Sequence, residues 1–146
     1  MPVVKGCKLP DDLLYDVENQ IWFKELGDGT VKVGMTAVAT AMAGRLVAFT
    51  PKGVGKEVKA GKSCATVESG KWVGPAKVAA GGEVVAVNEA LVATPSMAND
   101  DPYGEGWLIV LRPEGWDSVK PALIPGAEVA GPYEAKMAAD GFAGCA

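Results

Sequence analysis

The segment Val67-Glu68-Ser69-Gly70-Lys71-Trp72 sets one lysine on a tight turn between two apolar runs. Most hairpin lysines are solvated surface charges. The alternative is an exposed amine that another enzyme acylates. That use makes demands on the neighbours. They must be small enough for an enzyme cleft to close over the turn, and the hairpin must be rigid, so that the attached arm holds the only freedom. Tethering then raises the effective concentration of a cargo at successive active sites. Ser69 and Gly70 are small, and Glu68 puts a carboxylate beside the lysine.

Little else in the chain offers chemistry. It contains no histidine, which removes Ser-His-Asp and Cys-His catalysis and most catalytic zinc sites. Gly61-Lys62-Ser63 looks like the end of a phosphate loop, but Lys56 stands where the first glycine belongs. Gly53-Val54-Gly55 has Val58 where a dinucleotide fingerprint needs its third glycine. Asn99-Asp100-Asp101 could hold a cation, yet three turn-forming residues before Pro102 need no metal. Cys7, Cys64 and Cys145 fit no zinc or CxxC spacing. Cys64 lies in an apolar run and reads as a buried thiol. Cys7 and Cys145 either bridge the two ends or stay free on mobile tails, and the second reading is preferred.

The elements around the turn read as strands. With 19 Gly and 10 Pro in 146 residues, the chain has many turns and so many short strands. Ile21–Leu26 ends at Gly27-Asp28-Gly29 and returns through Val31–Met35, a hairpin. Thr36 caps a short helix over Ala37–Met42, closed by Gly44. Strands follow at Arg45–Thr50, Glu57–Lys59, Ser63–Val67, from Trp72-Val73 to an interruption at Gly74-Pro75, at Glu83–Asn88 and at Trp107–Leu111, with a dense loop over 99–104. Gly44–Phe49 echoes Gly82–Val87; two half-barrels of one plan would give this, and so would chance. Pro132 opens a helix to Asp140. Residues 1–12 read as an N-terminal tail, 13–141 as one domain with its helix near 132–140, and 142–146 as a C-terminal tail.

Net charge is −4 and no basic stripe appears, which argues against nucleic acid. The first residues lack an apolar signal region, and no stretch approaches a membrane span. The expectation is a cytoplasmic protein with no membrane partner and no metal.

Longer motifs carry a resemblance. Val33-Gly34-Met35-Thr36, Val54–Gly61, Val67–Lys71, Gly82–Leu91 and Asn99–Leu108 resemble the glycine-cleavage H-protein family over roughly Leu14 to Leu111. The resemblance implies an all-β barrel-sandwich hybrid of the lipoyl- and biotinyl-carrier type, with short helices including a C-terminal one. It implies a carrier rather than an enzyme, with lipoate covalently bound to Lys71. Glu68, Ser69, Gly70 and Trp72 would form the recognised hairpin tip. Lipoate ligase or lipoyl-assembly enzymes would be partners.

The chain also departs from the family. Typical H-proteins read Glu-Ser-Val-Lys-Ala at the tip, His-Glu-Trp where Gln20-Ile21-Trp22 stands, and Leu-Gly-Asp where Ala43-Gly44-Arg45 stands. The Gly-Lys-Trp tip is similar to divergent lipoate-binding proteins that work with heterodisulfide-reductase-like complexes in bacterial sulfur oxidation. That branch implies a sulfur-bound cargo or electrons, and a dihydrolipoamide dehydrogenase-like partner. Glycine cleavage, with an aminomethyl cargo and the glycine cleavage enzymes as partners, is the alternative. A biotin carrier, which usually has Met on both sides of its lysine, and an unmodified interaction module are the competitors from other classes.

Overall fold

The computed structural model describes residues 3–145. Twelve strands run along it: β1 (Val3–Val4), β2 (Cys7–Lys8), β3 (Leu14–Asp16), β4 (Ile21–Glu25), β5 (Val31–Met35), β6 (Leu46–Pro51), β7 (Glu57–Val58), β8 (Lys62–Ser69), β9 (Val73–Val78), β10 (Gly82–Val87), β11 (Ile109–Pro113) and β12 (Ile124–Pro125). The helices are short: α1 (Ala37–Ala43), α2 (Glu89–Ala93), α3 (Met97–Asp100), α4 (Trp116–Val119) and α5 (Ala130–Ala139). No helix among the described residues is long and apolar enough to cross a membrane.

Seven strands form one sheet in the order β12-β3-β4-β5-β11-β10-β7, and three form a second in the order β6-β8-β9. Facing side chains of the two sheets meet in the main core, among them Phe23, Val33, Leu111, Phe49, Val67 and Val78. Alternation along β8 does this work: Cys64, Val67 and Ser69 are buried, while Thr66 and Glu68 face out.

β4 is a partition between two cores. Ile21 and Phe23 enter the main core, while Trp22 points the other way, into a second core with Tyr15, Val38, Tyr133 and Met137. Trp22 is fully buried, donates from Nε1 to the Pro102 carbonyl at 3.0 Å, and fills the space a Cβ on Gly34 would need.

The expected tails are packed structure. Of the 1–12 segment, Met1 and Pro2 lie outside the described residues; β1 and β2 form a hairpin, and Cys7 and Leu9 are fully buried in the second core. At the other end Phe142 and Cys145 pack on the same core, and Ala146 lies outside the described residues. Cys7 and Cys145 form a disulfide, with Cα atoms 5.0 Å apart, in place of the preferred free thiols. Spacing alone could not show that α5 returns the C-terminus to the N-terminal hairpin. Cys64 is the buried free thiol, and burial pushes its pKa up to about 12.

Other boundaries moved for local reasons. β9 continues through Gly74-Pro75, because an edge strand has one side of its ladder without a partner. The C-terminal helix begins at Ala130, two residues before Pro132, with Pro still in the first turn where its missing N–H costs nothing. The loop at 99–104 opens with the last two residues of α3. The echo between Gly44–Phe49 and Gly82–Val87 has a structural counterpart. β6 shifts register between Leu46 and Ala48, and β10 shifts between Val84 and Ala86, the equivalent step, each against its own antiparallel partner.

Candidate functional site

The β8–β9 hairpin closes through Gly70-Lys71. Glu68 pairs with Val73, and the Ser69 N–H donates to the Trp72 carbonyl at 2.7 Å. Ser69 is buried and its hydroxyl donates to the Ala43 carbonyl at 2.6 Å. The same oxygen accepts the Lys71 N–H at 3.3 Å. One side chain thus joins the turn to the end of α1. Glu68, Gly70 and Lys71 are exposed, and Glu68 lies on the outer face of the small sheet, between Ala48 and Val73.

The end of α1 is the ledge beneath Lys71. α1 has seven residues and starts at Thr36, whose hydroxyl accepts from the Ala39 N–H at 3.2 Å. So short a helix depends on packing more than on propensity. Its last carbonyls find partners outside the helix. Ser69 serves Ala43, while Asn99 Nδ2 donates to Thr40 at 3.2 Å and to Gly44 at 2.9 Å. Gly44 has φ 86° and ψ −179°, a region essentially confined to glycine. The Lys71 stem lies against it, with Cε 3.0 Å from where a Cβ would stand.

A cleft of about 440 Å³ opens between this ledge and β4. Ile21, Met35, Ala39, Met42, Ala43 and Ala76 supply most of its apolar wall, with Lys71, Trp72 and Pro75 on the hairpin side. Asn19 and Gln20 are its uncharged polar groups, and among the described residues no carboxylate lines it. Gln20 holds a left-handed backbone, φ 60°. Its Oε1 accepts from the Tyr133 hydroxyl at 3.0 Å, and its Nε2 reaches Met42 Sδ at 3.4 Å. Tyr133 Oη is also 2.6 Å from Thr36 Oγ1. Burial raises the Tyr133 pKa above its ordinary value, so this hydroxyl keeps its proton.

The structure therefore gathers Glu68, Ser69, Gly70, Lys71 and Trp72 at one tip, with Ser69 turned inward and the others outward. Trp72 is 40% exposed and stands before β9 begins, at the rim of the cleft. Its ring packs over Gly74 of β9 while its outer side stays open to solvent. Reasoning from sequence missed Gly44, Asn99 and the cleft floor. Gly44 was legible as a helix stop; its contact with a lysine 27 positions on was not.

The loop at 99–101 is spent on protein partners. Asn99 Oδ1 accepts the Leu46 N–H at 2.9 Å, Asp100 pairs with Arg45 at 3.0 Å, and Asp101 Oδ2 accepts the Glu105 N–H at 2.8 Å. Among the described residues no cluster of three or more potential metal ligands is found.

An acyl chain ending in a dithiolane fits the donor set and the space. The amine is exposed, and an apolar cleft of ordinary ligand size opens beside it.

Comparison with known proteins agrees with this geometry. A family described as "Glycine cleavage H-protein" matches residues 13–134. "Glycine cleavage system H protein 5" of Aquifex aeolicus is 53% identical over 128 residues, covering 85% of this chain and 86% of that one. "Glycine cleavage system H protein 2" of the same organism is 48% identical over 124 residues, covering 85% and 77%. A crystal structure of a glycine cleavage system H protein from Mycobacterium marinum superposes with a TM-score of 0.73 at 34% identity, covering 91% of this chain and 99% of that one. The chain belongs to the glycine cleavage H-protein family.

Proposed function

We propose that Lys71 bears a lipoyl group in amide linkage, and that this carrier moves a sulfur-bound intermediate or electrons between enzymes of a heterodisulfide-reductase-like sulfur-oxidation system. Members of the H-protein family are carriers rather than enzymes, typically with lipoate on a lysine. The observation that carries the attachment site is the pinned turn: an exposed lysine at the mouth of an apolar cleft, its hairpin tied to α1 by Ser69. Amide formation at Nζ removes the lysine charge, which suits the stem to a cleft wall of methyl and thioether groups. The group supplies a disulfide that opens to two thiols and recloses with release of two electrons. The chain supplies position, partial shelter from water and a recognisable tip.

The branch rests on what the cleft lacks. A methylamine cargo is cationic and needs an acceptor; Ile21 offers none, and Asn19 and Gln20 offer only neutral amides. A neutral or sulfur-centred cargo meets no such lack. Trp72 adds a bulky ring beside the arm where an enzyme shaped for a small residue would clash. Three relatives in Aquifex aeolicus, numbered 2, 3 and 5, are consistent with carriers divided among pathways.

Intact mass after incubation with a lipoate ligase tests the attachment. The wild-type chain should gain one lipoyl group and Lys71→Arg none. Gain by the arginine variant would overturn the site, and a biotin adduct would select the other carrier class. A reconstituted glycine decarboxylase assay tests the branch. Lipoylated wild type should not support turnover, and Trp72→Ala with Gly70→Val should restore part of it. Turnover like that of an authentic H-protein would return the chain to glycine cleavage.

A further inference from the structure

We propose that Asn99 is a positioning residue for the attachment lysine, acting through the last turn of α1; the inference rests on Lys71 being the acylated residue. Asn99 comes from α3 and is half-buried. Both ends of its amide are engaged: Oδ1 accepts from the Leu46 N–H at 2.9 Å, and Nδ2 donates to the carbonyls of Gly44 at 2.9 Å and Thr40 at 3.2 Å. Reversing the amide would set its oxygen against two carbonyls, so the network fixes its orientation. These three bonds hold both sides of Gly44, where the Lys71 stem rests. The Ser69 bond to Ala43 ties the hairpin to the same turn. Asn99 thus sets the ledge, and the ledge sets the direction in which the lysine leaves the surface.

The neighbouring Arg45–Asp100 pair spans the same joint, but both side chains are more than half exposed. An exposed pair is screened by water and holds a joint weakly. The buried-side amide is the stronger fastening, because losing it leaves a backbone donor and an acceptor without partners.

The experiment measures acylation of the full chain by a lipoate ligase with free lipoate, the chain being the varied substrate. Order parameters of the Gly44, Gly70 and Lys71 amides are measured in parallel. Asn99→Ala should raise KM for the chain roughly three- to tenfold with kcat near wild type, and the three amides should become more mobile. Asn99→Asp keeps the bond from Leu46 but loses both donations. It should show the same split, and it provides the test if the alanine variant does not fold. Tyr15→Phe removes a buried hydrogen bond to the Pro10 carbonyl in the second core; it should lower stability and leave KM unchanged. The proposal fails if Asn99→Ala keeps wild-type KM and wild-type order parameters, or if Tyr15→Phe raises KM as much. If wild type itself is not acylated, the carrier reading fails, and the order parameters alone decide the role of Asn99.

Discussion

The indole of Trp72 lies against Gly74, two residues on, so closely that a Cβ on Gly74 would collide with Cζ2, Cε2 and Cη2 of the ring. The glycine is a seat for the ring, and its backbone does not require glycine for its own conformation. Gly74→Ala should therefore push the indole off the sheet edge without straining the strand. Acrylamide quenching of the Trp72 contribution, isolated by subtracting a Trp72→Phe variant, should increase. Gly74 is buried beneath the ring, and because the half-exposed indole can swing away from a new methyl, global stability should fall by only about 1 kcal/mol. Unchanged quenching would mean that the ring is held by something else.

Ser69→Ala removes the hydroxyl that serves the Ala43 carbonyl and leaves that acceptor buried. The loss should be about 1–2 kcal/mol in urea unfolding, with a wild-type m-value. A loss near zero would show that water replaces the hydroxyl at once.

Gly44→Ala should destabilise by about 1–3 kcal/mol, because an L-residue at φ 86° and ψ −179° is strained. The lysine adds little to this cost, since the far end of a flexible stem can move away from a new Cβ. Thermal unfolding measures the loss. A parallel lipoylation assay should show slower acylation of the displaced amine.

Alkaline stability follows from Cys64. In the unfolded chain the thiol releases its proton near its ordinary 9.0, but in the fold it holds the proton to about 12. Between those values the unfolded state binds fewer protons, so stability falls as pH rises above about 9. Tyr103 adds to the fall above 10.0, since burial lifts its hydroxyl to about 12. Denaturation midpoints from pH 7 to 10.5 should decline, and Cys64→Ala should flatten the first part of the decline even if the cavity lowers the whole curve.

Reduction should weaken the fold strongly. Cys7 and Cys145 are 138 positions apart, and closing so long a loop restricts the unfolded chain by up to about 5 kcal/mol in the entropic account. Melting with and without reductant measures this. Cys145→Ser should melt like the reduced wild type and be indifferent to reductant; equal melting of oxidised and reduced wild type would refute a stabilising bridge.

Much of this was legible in the sequence wherever local chemistry decides. The Gly27-Asp28-Gly29 hairpin, the Thr36 cap and the Gly44 stop each follow from a turn or cap preference, and each stands where expected. The tip residues were legible as well, because the turn places them in one run. Contacts across long separations were not. Asn99 reads as a turn residue until α1 is seen beside it, and Cys145 reads as a loose end until α5 carries it to Cys7. Pro75 misled in the other direction: proline interrupts an interior strand, and nothing local revealed that β9 is an edge.

The bridge between Cys7 and Cys145 also makes the intervening chain a covalent circle. A single cut anywhere between those residues would open the circle without dividing the molecule. A carrier meets several enzymes in turn and exposes the loops between its strands to each of them. Nicked once, this chain would keep Lys71, the cleft and both halves of the fold in a single piece, and under the proposed function a group on Lys71 would stay joined to the whole surface around it.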